Sequence, residues 1–268
     1  MKKTLILLMS VLLMTVLVVS CENTPTEYTV KFDLNEGTGT APDQKVVSGN
    51  RAEKPADPKK TNAAFKFWSK DGSTEFKFDT PITEDTTLKA VWQTEFKVGD
   101  IGPAGGYIFY DCDADNSDEN NGAGPDNLKS SDCGWRYLEA ANSDLGEKLM
   151  WYSYGGNATY NTLKGIGEGK NNTDKLKANG IANFPAADAC LKYEGGGYSD
   201  WFLPSLEEMK LMFTKLGKDQ LDTFVKNSSY WTSSEKGNGQ TYRPAIGDSY
   251  DASDSYVVPY FVRPARSF

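Results

Sequence analysis

Apolar residues run almost unbroken at the start of this chain and then switch to alternation. Leu5 to Val19 form a nearly continuous apolar stretch behind Lys2 and Lys3, the composition of an export signal over residues 1–20. About fifteen apolar residues fall short of the roughly 20 that cross a hydrocarbon core, and no second such stretch is present. The pattern predicts an exported chain, not an integral membrane protein. Residues 21–27 are polar and read as a short tether.

From Tyr28 the period becomes two. Tyr28, Val30, Phe32 and Leu34 share one face and Thr29, Lys31 and Asp33 the other, as in a half-buried strand. Glu36 to Thr40 reads as a glycine turn, and Pro55 to Pro58 breaks the chain before Phe65, Phe67 and Trp68. Phe76 and Phe78 alternate again, and Leu88, Ala90 and Trp92 close the segment. The spacing predicts about four strands over residues 28–92, with Phe32, Phe67, Trp68 and Trp92 in a modest core.

A second domain is expected over residues 98–268. Gly99, Gly102, Gly105 and Gly106 precede a short strand, Tyr107 to Tyr110. No Gly-Lys-Ser or Gly-Lys-Thr comes after them, so this is a tight turn and not a phosphate loop. Asp174 to Lys192 has helix-like spacing, with Ala186, Ala187 and Cys190 inward. Ser205 and Glu208 form a capping box, and the helix behind it places Met209, Met212, Phe213 and Leu216 on one face.

Charge and composition narrow the function classes. Without the first twenty residues, 27 basic side chains face 37 acidic ones, a net charge near −10 that repels nucleic acid and anionic headgroups. Histidine is absent, which removes imidazole bases, imidazole metal ligands and His-containing nucleophilic triads. Asp111, Asp113, Asp115, Ser117 and Glu119 alternate oxygen ligands within an acidic loop, but the glycine and closing glutamate of an EF-hand are missing. A solvated loop is the simpler reading; no cofactor or metal is implied.

Four cysteines are present. Val18-Val19-Ser20-Cys21, followed by a polar stretch, resembles the lipobox of bacterial lipoproteins, with Val18 where leucine is usual. The resemblance implies a diacylglycerol on the Cys21 sulfur, cleavage ahead of it, and residence on the outer membrane or cell surface. Of the remaining three, Cys112 is expected to pair with Cys133; closing a loop of about 20 residues contributes roughly 3 kcal/mol in the chain-entropy picture. Cys190 reads as a buried thiol.

Two further resemblances cover most of the chain. Residues 28–92, with Val30-Lys31-Phe32-Asp33, the aromatics Phe65 and Trp68, and Thr87 to Trp92, resemble the Listeria-Bacteroides repeat, although Ala63 and Ala64 stand where glycine is usual. That implies a small β-grasp-like module used as a spacer. Asp200-Trp201-Phe202-Leu203-Pro204-Ser205, Tyr230-Trp231-Thr232-Ser233-Ser234-Glu235 and the ending Val262-Arg263-Pro264-Ala265-Arg266-Ser267-Phe268 are similar to the DUF1566/Lcl C-terminal family. That implies a C-type-lectin-like or formylglycine-generating-enzyme-like mixed domain, and an α+β chain as a whole.

Trp201, Trp231 and Phe268 are expected as core aromatics, with Arg263 and Arg266 pairing with Asp200 or Glu235. The Gly237 to Tyr260 segment reads as an adaptable contact surface, carried by Tyr242, Arg243, Asp248, Tyr250, Asp251, Asp254 and Tyr256. The expected function is a lipid-anchored, noncatalytic binding or adhesion module for a glycan or a host or envelope protein. A purely structural envelope protein and a formylglycine-generating enzyme are the alternatives.

Overall fold

The computed structural model describes residues 25–113, 131, 134–216, 218–246 and 250–268. The chain is a mixed α+β structure. Its first sheet contains β1 (Glu27–Asp33), β2 (Gln44–Val47), β3 (Ala64–Ser69) and β4 (Thr86–Gln93) in the order β2-β1-β4-β3. β1 lies parallel to β4, with Val30 opposite Thr86 and Phe32 opposite Leu88; the other pairings are antiparallel. The period-two pattern puts Val30, Val46, Leu88 and Ala90 on the buried face with Trp68 and Ile82.

Two expectations for this sheet are corrected. Phe76 and Phe78 form no strand; Gln44–Val47 supplies the remaining one, pairing antiparallel with β1. A bulge between Phe65 and Phe67 shifts the β3 register. It breaks strict alternation, so Phe65 and Trp68 join the apolar cluster and Phe67 does not.

Among the described residues, the rest of the chain holds two three-stranded antiparallel sheets. One is β5 (Tyr107–Asp111), β6 (Tyr137–Ala140) and β10 (Ala265–Ser267), ordered β10-β6-β5. The other is β7 (Glu235–Gly237), β8 (Gln240–Tyr242) and β9 (Ser253–Ser255). Among the described residues the helices include α1 (Glu168–Ala178), α2 (Pro185–Lys192), α3 (Leu206–Lys215) and the single turn α4 (Lys218–Leu221).

The helix expected over 174–192 is two helices, the first starting at Glu168. Asn179 and Gly180, the latter at φ 93°, end α1, and Pro185 opens α2 after a 3-10 turn. Proline at the first helical position and glycine past the last turn are the normal punctuation. α3 follows its sequence reading closely. Ser205 caps it in a complete capping box with Glu208, and Met209, Met212 and Phe213 are buried. Among the described residues, no helix is long and apolar enough to cross a membrane.

α3 packs with β5, β6 and Phe202 in one apolar cluster; a second gathers Trp151, Phe184, Trp231, Tyr256 and the buried side of α2. Phe96, Ile108 and Tyr137 make a smaller one with Ala64 of the first sheet and the half-buried ring of Phe268. Tyr198 donates its hydroxyl hydrogen to the Lys60 carbonyl at 3.0 Å, and Arg136 pairs with Glu95 at 2.7 Å, so side chains of the C-terminal part hold the first sheet and the segment leaving it.

Candidate functional site

The scaffold beneath the C-terminal surface is an array of buried charges, each enclosed by donors or counter-charges. Arg266, on β10, forks onto Asp200 through Nε and Nη2, both at 2.9 Å, and its Nη1 reaches Glu139 of β6 at 3.0 Å. Tyr198 lies 3.9 Å from the guanidinium. Burial opposes the charge on Arg266, yet the hydrogen bonds and charges of Asp200 and Glu139 outweigh it and raise the pKa. Burial pushes the Glu139 carboxyl upward, opposed by Arg266 and backbone donors.

The glycine turn of residues 102–106 explains those donors. Ala104 N–H and Gly106 N–H point at Glu139 Oε1, at 3.0 and 2.8 Å. A Cβ on Gly102 would overlap the Glu139 carboxylate, and one on Gly106 would overlap the Ala140 carbonyl. The loop is thus an anion nest, and its anion is the chain's own Glu139.

Arg263 is fully buried. It donates to Asp144 at 2.7 Å, to the Ala141 carbonyl at 2.8 Å and to the Thr223 carbonyl at 2.6 Å, with the Phe224 ring 3.8 Å away. Of the arginine pairings expected from sequence, Arg266 with Asp200 is present. Arg263 instead pairs with Asp144, and Glu235 takes no arginine. Glu235 accepts from Tyr160 N–H, Thr162 N–H and the Tyr256 hydroxyl, the last at 2.9 Å. Trp201 and Trp231 are buried, and the Pro204 carbonyl accepts from Ser233 N–H at 2.7 Å.

The seven residues expected on a contact surface separate. Tyr256 is fully enclosed, its ring stacked on Trp151 at 4.6 Å, and burial with the Glu235 contact raises its hydroxyl pKa. Tyr242 is also buried. Both are corrected from contact residues to interior ones: the ring stack on Trp151 takes Tyr256 inward, and the Thr241–Tyr242 end of β8 is buried on both faces. Asp248 lies outside the described residues.

Arg243 and Asp254 do come together. Arg243 Nη1 donates to Ser229 Oγ at 2.9 Å, its Nε lies 3.9 Å from Asp254 Oδ2, and the Tyr260 ring is 5.3 Å from the guanidinium. Tyr260 donates to Asp254 at 2.7 Å, which holds that carboxyl below its ordinary value. Among the described residues Arg243 Nε, itself a buried atom, has no hydrogen-bond acceptor, while the side chain as a whole is 25% exposed. Tyr250 and Asp251 dock separately on α3, against Phe213 and Lys210.

Sequence reasoning missed Ser229, Tyr260 and Lys210. They stand 14, 17 and 33 positions from Arg243, and no local period links them. Near the β7–β8 turn, Tyr152 packs on Phe184 at 5.0 Å and Tyr154 on Tyr152 at 5.5 Å; Tyr154 is the most exposed of these rings. A Cβ on Gly239 would overlap the Gly156 carbonyl, which sets that loop against the turn.

Cys21 and Cys133 lie outside the described residues, as do Asp115, Ser117 and Glu119. Cys112 is buried at the end of β5. Asp111 is taken up by Arg136 at 3.0 Å. Among the described residues, no group of three or more His, Cys, Asp or Glu side chains is placed to hold a metal ion. Cys190 is a free thiol in α2, and burial raises its pKa well above the ordinary value.

Comparison with known proteins gives a family match and likenesses to solved structures. Residues 28–91 match the Listeria-Bacteroides repeat domain. No curated protein matches the chain. A fimbrial protein from Bacteroides ovatus ATCC 8483, solved at 1.85 Å, is 12% identical, covering 91% of this chain and 71% of that one, with a TM-score of 0.43.

Proposed function

We propose that this chain is a noncatalytic adhesion lipoprotein of the bacterial surface. Acylated Cys21 anchors it to the membrane, the repeat domain of residues 28–91 spaces it outward, and the part from 98 to 268 meets a glycan or a host or envelope protein. In this reading the C-terminal part is a DUF1566/Lcl-type domain with a C-type-lectin-like arrangement. The family match of residues 28–91 supports the spacer role.

The observation that carries the binding role is Arg243. Its side chain is 25% exposed, with Nη1 on Ser229 Oγ at 2.9 Å and Asp254 and the Tyr260 ring beside it, so a guanidinium edge within a polar patch is open to a ligand.

The test is binding of the full chain to glycan and extracellular-protein arrays, repeated with Arg243→Ala and Tyr250→Ala. A saturable ligand that weakens about tenfold in Arg243→Ala, one bond to a charged group, supports the reading; equal affinity overturns it. Anchoring is tested separately. Cys21→Ser is expected to move the protein from the membrane to the soluble fraction, and an unmodified amino terminus on the native protein overturns the anchor.

A further inference from the structure

The first sheet contains a cavity that a plain spacer does not require. A groove of about 540 Å³ opens between Asn35, the Lys70-Asp71-Gly72 turn, Lys60 and the β4 residues Lys89 to Trp92. Its volume falls in the range of small-molecule sites, about 300–1,000 Å³, and far exceeds what one inorganic anion fills.

The groove is fixed on one side and cationic around it. Trp92 donates Nε1–H to the Asn35 carbonyl at 3.0 Å, Asn35 Nδ2 donates to the Ala90 carbonyl at 2.9 Å, and Phe65 packs edge-on against the Trp92 ring. A Cβ on Gly37 would overlap Trp92 Cζ2, so that turn and Phe65 fix the position of the ring. The ammonium of Lys60 stands 6.0 Å from the ring centroid, and Lys70 and Lys89 complete the lining.

Charge balance favours an anion. The lining has three lysines against one carboxylate, Asp71. Asp71 is already occupied, since its Oδ1 accepts from Ser73 N–H, Thr74 N–H and the Ser69 hydroxyl. Lys60, Lys70 and Lys89 pair with Glu36, Glu84 and Asp33 at 2.9, 3.4 and 4.0 Å, and each of those carboxylates is at least half exposed and outside the groove lining. Surface pairs of this kind contribute about 0–1 kcal/mol, so a ligand anion exchanges with them at little cost.

We propose that this groove binds an acidic saccharide of one or two rings, its carboxylate or phosphate ester facing Lys60, Lys70 and Lys89 and its ring lying along Trp92. The site gives the repeat domain a ligand of its own, independent of Arg243.

The test uses the full chain in detergent with four probes: digalacturonate, glucose 6-phosphate, a neutral digalactoside and inorganic phosphate, followed by calorimetry and tryptophan fluorescence. Saturable binding of at least one acidic sugar is expected with Kd of about 1 mM or tighter. It should weaken at least tenfold in K60A/K70A/K89A and fall as salt rises. Lys70 and Lys89 are about half exposed but Lys60 only 25%. The urea midpoint of the triple variant is therefore measured beside its binding, and K70A/K89A, which leaves Lys60 in place, is expected to weaken binding in the same direction. Arg243→Ala is expected to leave the binding unchanged. The two acidic arms separate carboxylate from phosphate recognition. The proposal is overturned if neither acidic sugar binds, if the triple variant binds as tightly, if the neutral disaccharide binds equally, or if inorganic phosphate alone matches the sugars.

Discussion

Replacing Glu139 with alanine removes the anion from the 102–106 nest and one of the two carboxylates around Arg266. Ala104 N–H and Gly106 N–H then lose their acceptor in a site where Glu139 is fully buried. Arg266, 1% exposed, keeps only the Asp200 fork. Two stranded backbone donors cost about 1–3 kcal/mol each and a broken buried pair about 3–5, with much of the two penalties shared, so the expected loss is about 4 kcal/mol. That is a large share of the roughly 5–15 kcal/mol that holds a domain folded. Glu139→Gln retains one acceptor for the nest and is expected to cost about half as much. The assay is urea unfolding followed by tryptophan fluorescence, reading the midpoint at constant m-value. A loss below about 1 kcal/mol in the alanine variant would refute the nest-and-pair account, and equal losses in the two variants would show that the backbone donors contribute nothing.

Stability should fall as pH rises through neutrality because of Glu208. Burial raises its pKa from 4.5 to about 7, against the N–H groups of Ser205, Gly169 and Gly167. The folded state therefore keeps a proton that the unfolded chain gives up above pH 4.5. The contribution is full below that value and is lost as pH passes 7, about 3 kcal/mol in all. Glu208→Gln should flatten the dependence between pH 5 and 8 in urea titrations, and an unchanged slope would contradict the assignment. Gly106→Ala forces β5 from β6 at Ala140 and should cost about 2–4 kcal/mol, whereas Gly105→Ala, at φ 76° with open space around it, should cost about 1–2. Thermal melts of the two variants decide the order. Arg266→Lys keeps the charge but loses the fork on Asp200; a drop of about 2 kcal/mol is expected, and parity with wild type would count against bidentate pairing.

Much of the architecture was legible because local periods dictate it. Alternation from Tyr28 gave β1, and the Ser205–Glu208 box with apolar positions at helical spacing gave α3. The β3 bulge was not legible: Phe65, Phe67 and Trp68 do not reveal where a register shifts. Nor was β2, whose four residues take their place only by pairing with β1. A helix read across 174–192 survived as two because Asn179-Gly180 and Pro185 are punctuation that the apolar period outweighed.

Site residues divide along the same line. Residue type alone established what chemistry was at hand: no imidazole, an acidic balance, arginines and tyrosines near the C-terminus. Tertiary structure decided which of them face solvent. Thr232, Ser233, Ser234 and Glu235 are polar in type, yet all four are buried, and partners 60 to 80 positions away satisfy the last three: Asn172 for Ser233, the Leu163 carbonyl for Ser234, Thr162 and Tyr160 for Glu235. The even charge of residues 28–92, ten basic against ten acidic side chains, likewise hides a groove lined by three lysines and one tryptophan. A period reports only neighbours along one element, whereas burial of a polar group depends on hydrogen-bond partners that long-range folding alone brings within about 3 Å.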